Sequence, residues 1–287
     1  TCVDVTAVTS PNFMFSHETT PKTIATAQGI SSRCWLFSGL NMLRRSFINK
    51  YNLPNDFEFS YTHIYFYDRL ERTNYVLESI IKMKMEKRDI DDRLVRKVIE
   101  LLVMDGGQWQ MFANIVNKYG ILPLSAYGDT LHGMKGTEHK QLYFRTIKRC
   151  ASAIFNASDS SIEQLRLIKQ ECVQNMYNML IHLFGKPPET FDWKYRTTKN
   201  EIKCLKNMNS KSFYNLLGIN LDDYICLCND PRFEYEKLYN IDFVGNSAGQ
   251  PDVYYLNLEM KRLKETTESS IRDNQCVWFG CDINTGL

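Results

Sequence analysis

The chain has 287 residues, 44% of them apolar and 24% charged, with a formal net charge of +2 at pH 7. That length holds one large or two ordinary domains, and the composition excludes a disordered chain. No apolar run approaches a membrane span, the start lacks a secretory-signal pattern, and the near-balanced charge argues neither for nor against a nucleic-acid partner.

Residues 1–27 lack helical periodicity and are rich in Thr, Ser and Pro, which reads as an extended arm with turns at Pro11 and Pro21. A small-residue loop follows from Gln28 and leads into a helix that begins at Cys34. Leu36, Leu40, Leu43 and Phe47 space as one buried stripe, and Pro54 closes the helix. Residues 60–85 read as a second helix, with Tyr61, Ile64, Tyr65, Leu70, Leu77 and Ile81 as apolar positions. The mixed-charge run 82–93 reads as a solvated face or a connection between helices, and 92–103 as a third helix. Gly106-Gly107 interrupts the pattern before a helix over 108–118. On spacing alone the pair is a tight lead-in to that helix, with no Cβ in the way of a neighbouring backbone.

Residues 138–184 read as largely helical with a break near 156–161, ended by Gly185-Lys186-Pro187-Pro188. β-type runs follow at 224–228, 238–244 and 276–281, with a helix near 257–266 between the last two. Nine scattered cysteines fit a reducing compartment better than a disulfide framework. Cys226 and Cys228 share one face of a strand, and Cys276 and Cys281 are five apart. Without a neighbouring His or a repeated Cys-x-x-Cys they read as core thiols and not as a zinc site.

Cys34 has a different context. A thiol at a helix N-terminus sits where unpaired N–H groups and the helix dipole favour its thiolate. Gln28, six residues earlier on the incoming loop, can turn its amide towards the thiol and donate to a developing oxyanion. The stretch therefore offers a nucleophile and an oxyanion donor, two parts of an acyl-transfer site. The third part, a base, is not evident. His182 lies in an apolar helical run and reads as structural; His17, His63 on a helix, and His132 and His139 beside a loop have no better context.

The segment Ser32-Arg33-Cys34-Trp35-Leu36-Phe37-Ser38-Gly39-Leu40-Asn41, preceded by Gln28, resembles the active-site segment of papain-like cysteine peptidases, and specifically their bleomycin hydrolase branch. Further blocks similar to that branch lie at Asp105-Gly106-Gly107-Gln108-Trp109, at 114–121, at 187–196, at Asn229-Asp230-Pro231-Arg232 and at 277–282. The resemblance implies an α+β, papain-like cysteine peptidase fold with helix-rich insertions, incomplete in its C-terminal β part. It divides the chain into an arm (1–27), a helical left half with the Cys nucleophile (28–135), an inserted helical region (136–223) and the start of the β-rich part (224–287).

The resemblance also implies an intracellular, cytoplasmic aminopeptidase that acts on peptides and needs no metal or organic cofactor. Cys34 is then the nucleophile, Gln28 the oxyanion residue, and Gly106 and Gly107 pair with the substrate backbone. A homo-oligomer, a hexamer in this branch, is expected, with weak nucleic-acid binding as a lesser expectation resting on the run 82–96. The branch's His and Asn follow its last block, so they are expected beyond residue 287. Thr1 is not a natural start, and the chain is expected to be the N-terminal portion of a longer protein. Ser32 stands where the branch usually has Gly, which is expected to strain the loop if that position needs φ > 0. The alternative is a catalytically inactive relative that serves assembly or nucleic-acid binding.

Overall fold

The structure, a computed structural model, describes residues 14–31, 33–101, 106–134 and 139–280. Its first helix, α1 (Cys34–Tyr51), turns the predicted stripe inward, so that Leu36, Leu40, Leu43 and Phe47 are all buried. It ends at Asn52, whose φ of 50° is the left-handed conformation that stops a helix and that Asn tolerates. The arm leading to it is a strap laid along α1. Arg44 and Arg45 donate to the carbonyls of Ile24 and Pro21 at 2.6 and 3.0 Å. Pro11 lies outside the described residues.

Helix α2 (Tyr61–Met85) starts at Ser60, whose hydroxyl accepts the His63 N–H. It is buried nearly all round because α1, α3 (Arg93–Glu100), α4 (Trp109–Tyr119), α6 (Lys140–Asn156) and α7 (Ile162–Phe184) pack against it; the short α5 is Leu131–Met134. The start of α7 is a capping box, Ser161 with Gln164, and its end is Gly185 at φ 81°. The run 82–93 is more than a solvated connection. Lys84 reaches the carbonyls of Ile154, Phe155 and Ala157 at 2.5 to 3.0 Å and caps the C-terminus of α6, where a cation also meets the negative end of the helix dipole.

The stretch after α7 departs from the expectation of a helical region through 223. It forms an antiparallel hairpin, β1 (Phe191–Arg196) with β2 (Ile202–Met208), followed by the short α8 (Ser210–Asn215). Trp193 anchors the hairpin by packing on Phe47 of α1 and Phe213 of α8. A second sheet has the order β3 (Cys226–Cys228), β5 (Tyr254–Asn257), β4 (Lys237–Asn240), with β3 parallel and β4 antiparallel to β5. The β-type run expected at 238–244 stops early, at Asn240, and Phe243 beyond it takes φ +63°. Helix α9 (Met260–Arg272) begins three residues later than the pattern suggests and runs six further.

Two expectations are corrected. Residues 276–280 form no strand; Trp278 instead turns onto Trp109 and Phe112 of α4. And the thiols are not all free: α6 and α7 pack side by side and bring Cys150 and Cys172 to a Cα separation of 6.1 Å, where they form a disulfide. Cys226 and Cys228 are half-buried, and Cys226 packs against the edge of the core.

Candidate active site

Cys34 is the first residue of α1 and its side chain is exposed. The first N–H groups of a helix have no intrahelical acceptor, so those of Cys34 and Trp35 stand beside the thiol. The approach is a tight turn in which the Ser31 N–H and hydroxyl both donate to the Gln28 carbonyl, at 3.3 and 2.7 Å. Gly29 supplies the φ of +58° that this turn requires. Gln28 itself is half-buried, and its Oε1 is buried without a partner among the described residues. Unspent polar capacity of that kind is uncommon in a folded protein and calls for an explanation at the site. Ser32 lies outside the described residues, and so does the question of its φ.

Residue 33 locks the thiol's neighbour in place. The Arg33 guanidinium is buried and grips Asp129 with both Nη atoms, at 3.2 and 3.1 Å. It also reaches Thr62 of α2 and lies over the rings of Phe37 and Tyr65. A bidentate pair with one partner buried holds geometry far better than an exposed ion pair does. On the other side, Trp35 is buried beneath Gly107. A Cβ on Gly107 would come within 2.4 Å of the indole, so only glycine lets the backbone lie on that ring. Gly39 makes the same allowance one turn further, where a Cβ would meet the Phe112 ring at 2.7 Å. Gly106, by contrast, is exposed, and a Cβ there would meet nothing within 4 Å among the described residues. The glycine pair thus does two jobs: Gly107 allows a close approach, and Gly106 leaves the space beside it open.

Among the described residues no histidine hydrogen-bonds to the Cys34 thiol. His63 is buried against Tyr67 and Tyr127 with its Nε2 on the Tyr119 carbonyl, and burial pushes its imidazole down to about 4. His139 is enclosed by Tyr65, Tyr143 and Phe184 and is likewise pushed down to about 4, by desolvation first and by Arg69 second. His17 pairs with Ser16 and Arg272 at the surface, and His132 and His182 lie on α5 and α7. Among the described residues no side chain hydrogen-bonds to the Cys34 thiol. The described residues therefore gather Cys34, the Gln28 turn and Gly106-Gly107 around one helix start, without a base. Arg33, Asp129 and Arg72, which frame this group, have no role that sequence reasoning assigns. The spacing Asp68–Arg72, i to i+4 inside an aromatic helix, is the one signal that marks a buried ion pair.

An exposed thiol at the start of a buried helix, a glycine-lined backbone beside it and an α+β frame of helices with small sheets define a papain-like fold with a cysteine site. The chain belongs to the Peptidase C1-like family, whose model matches residues 1–286. It is 34% identical over 273 residues to aminopeptidase C of Listeria monocytogenes, covering 94% of this chain and 61% of that one. It is 34% identical over 266 residues to bleomycin hydrolase of Gallus gallus, covering 90% and 58%. The crystal structure of PepW from Lactobacillus rhamnosis superposes with a TM-score of 0.91 at 29% identity, over 96% of this chain and 62% of that one. The chain thus spans about three-fifths of the length of the relatives it matches.

Proposed function

We propose that the protein is a cysteine peptidase acting as an aminopeptidase, with Cys34 as its nucleophile. The observation that carries this is the exposed Cys34 at the first turn of α1, flanked by the Gln28 turn and by Gly107 on Trp35. In the reaction the Cys34 sulfur attacks a peptide carbonyl and forms a C–S bond. The oxyanion is stabilised by the Gln28 amide and the Cys34 N–H. The C–N bond breaks as the leaving amine takes the proton that the thiol gave up, and water then hydrolyses the thioester. The base that moves this proton and the Asn that orients it are assigned to a part of the protein outside residues 1–287. Among the described residues no histidine hydrogen-bonds to the Cys34 thiol, and His63 and His139 are each enclosed by aromatic rings. Gly106 and Gly107 are assigned to the substrate backbone.

The restriction to N-terminal residues follows from likeness to relatives named aminopeptidase C. The same reading extends to a cytoplasmic homo-oligomer, a hexamer, which light scattering on the whole protein tests. Nucleic-acid binding is the weaker extension. Several cations of the run 82–96 are already spent, Lys84 on α6, Arg88 on Glu86 and Asp92, and Arg96 on Asp91.

The test is hydrolysis of aminoacyl-aminocoumarin substrates by the full-length protein. Free α-amines are expected to be cleaved and N-acetylated ones not, and Cys34→Ala is expected to lower kcat by about 10⁴-fold or more. Equal cleavage by Cys34→Ala would remove Cys34 from the reaction.

A further inference from the structure

Arg72 stands in the buried middle of α2 and donates from Nη2 to the Gly106 carbonyl at 2.7 Å. Its Nε meets both oxygens of Asp68, one turn earlier, at 3.0 Å. Asp68 is fully buried and is held twice more, by Arg69 at 3.1 Å and by Asn246 Nδ2 at 2.9 Å. Asn246 is tied in turn to the Met111 carbonyl at 3.0 Å. The Arg72 guanidinium also lies over Trp35, 5.5 Å from the ring centroid. One side chain therefore touches both the indole that follows Cys34 and the first carbonyl of the glycine pair.

A trans peptide is planar, with its C=O and N–H pointing in opposite directions. When Arg72 draws the Gly106 carbonyl into the core, the Gly107 N–H is turned the other way, outwards. That N–H has no acceptor among the described residues, and the space beside Gly106 is open. Two successive glycines left to themselves would sample many peptide orientations. A fork is needed to hold one of them: Arg pairs a carboxylate through one edge and still donates to a carbonyl through another, which a Lys ammonium does not match.

We propose that Arg72, braced by Asp68 and Asn246, is a positioning residue that sets the Gly106–Gly107 peptide so that the Gly107 N–H faces the cleft as donor to the backbone carbonyl of a peptide laid beside Cys34. This rests on the cysteine-peptidase reading above. It assigns to a buried ion cluster in α2 the pre-organisation of a hydrogen bond to substrate, a saving in ordering that otherwise falls on the binding step.

Two reagents separate positioning from folding. Iodoacetamide needs only the thiol, whereas an epoxysuccinyl peptide also needs the backbone contact. In the latter reaction the Cys34 sulfur bonds to an epoxide carbon, the C–O bond breaks and the oxygen takes a proton. Second-order labelling rates, mapped to Cys34, are measured on the full-length protein, Arg72→Gln and Asp68→Asn/Arg72→Gln. The single variant leaves Asp68 paired with Arg69 and the double variant removes the carboxylate as well, so the two leave different charges in the cluster and an effect shared by both does not come from one stranded charge. Both variants are expected to label about tenfold more slowly with the epoxysuccinyl peptide, the worth of one hydrogen bond, and within about twofold of the parent with iodoacetamide. An equal fall with both reagents in the double variant, or no fall with either, overturns the proposal while Cys34 stands. A parent protein that the epoxysuccinyl peptide does not label at Cys34 overturns the peptidase reading and this one with it.

Discussion

The helical part, from α1 to α7, and the β-bearing part that follows it solve the problem of burial differently. In the first, apolar side chains close on α2 from several sides, and the charges that are buried there are braced by several partners, as Asp68 is by Arg69, Arg72 and Asn246. In the second, Ile202, Ile225, Leu238 and Tyr254 are exposed on or beside short strands, and α9 has no buried residue at all. The exceptions, Trp193, Phe213, Leu217, Leu221 and Val253, join the core of the helices and make no separate one. The difference teaches that Cys34 is placed by the part of the molecule that carries its own core. The thiol's geometry is set by close packing at Gly39 and Gly107 and by the Arg33–Asp129 pair, and not by the strands.

Four substitutions or conditions press on that contrast. The largest effect is expected from Phe112→Ala, which opens a cavity under Gly39 and should cost about 3–5 kcal/mol in urea unfolding. Acid should act next. His63 is held at about 4 in the folded state against about 6.5 unfolded, so the folded chain binds fewer protons between those values. Its contribution is fully present above pH 6.5 and is lost as pH falls towards 4, a change on the order of 3 kcal/mol. His63→Gln should flatten that part of the stability–pH curve, and His139 adds a slope of the same sign. Lys84→Met leaves three carbonyls at the end of α6 without their cation and should cost about 1–2 kcal/mol. The smallest change is expected from Leu238→Ser on exposed β4, within about 0.5 kcal/mol. A cost above about 2 kcal/mol there would break the comparison, because it would give the small sheet a core of its own.

The same contrast explains what can be read from the sequence. Helices with one buried stripe or with strong terminal signals are legible: the stripe from Leu36 to Phe47 and the glycine stop at Gly185 both recur in the structure. The hairpin at 191–208 is not, because β2 alternates around no buried face and most of its side chains meet solvent. At 276–280 the apolar run Val277, Trp278 and Phe279 misleads. Composition alone does not distinguish a strand from a segment whose Trp278 is claimed by Trp109 and Phe112.

At the candidate site, the sequence marks a thiol at a helix start and an amide on the loop before it, and the structure places both side chains there; of the glycine pair, only Gly107 has a neighbour that a Cβ would strike. The supports of these residues are not legible. Arg33 meets Asp129 across 96 positions, and Asn246 meets Asp68 across 178, distances over which local pattern carries no information. The disulfide between Cys150 and Cys172 is hidden for a similar reason, since it depends on the register in which α6 and α7 pack.

The most direct test of a Cys34-centred site is a competition within one molecule. Cys34 and Cys204 are both free and exposed, but only Cys34 begins a buried helix beside Gln28 and Gly107. The full-length protein is treated with iodoacetamide from about pH 4 to 9, and both thiols are followed by peptide mapping. A thiol paired with a base reacts as thiolate well below the ~8.5 at which an unpaired one titrates. The account predicts that at about pH 6 Cys34 is labelled at least tenfold faster than Cys204. Equal rates for the two thiols across the whole range would contradict it, and would leave Cys34 an ordinary surface cysteine.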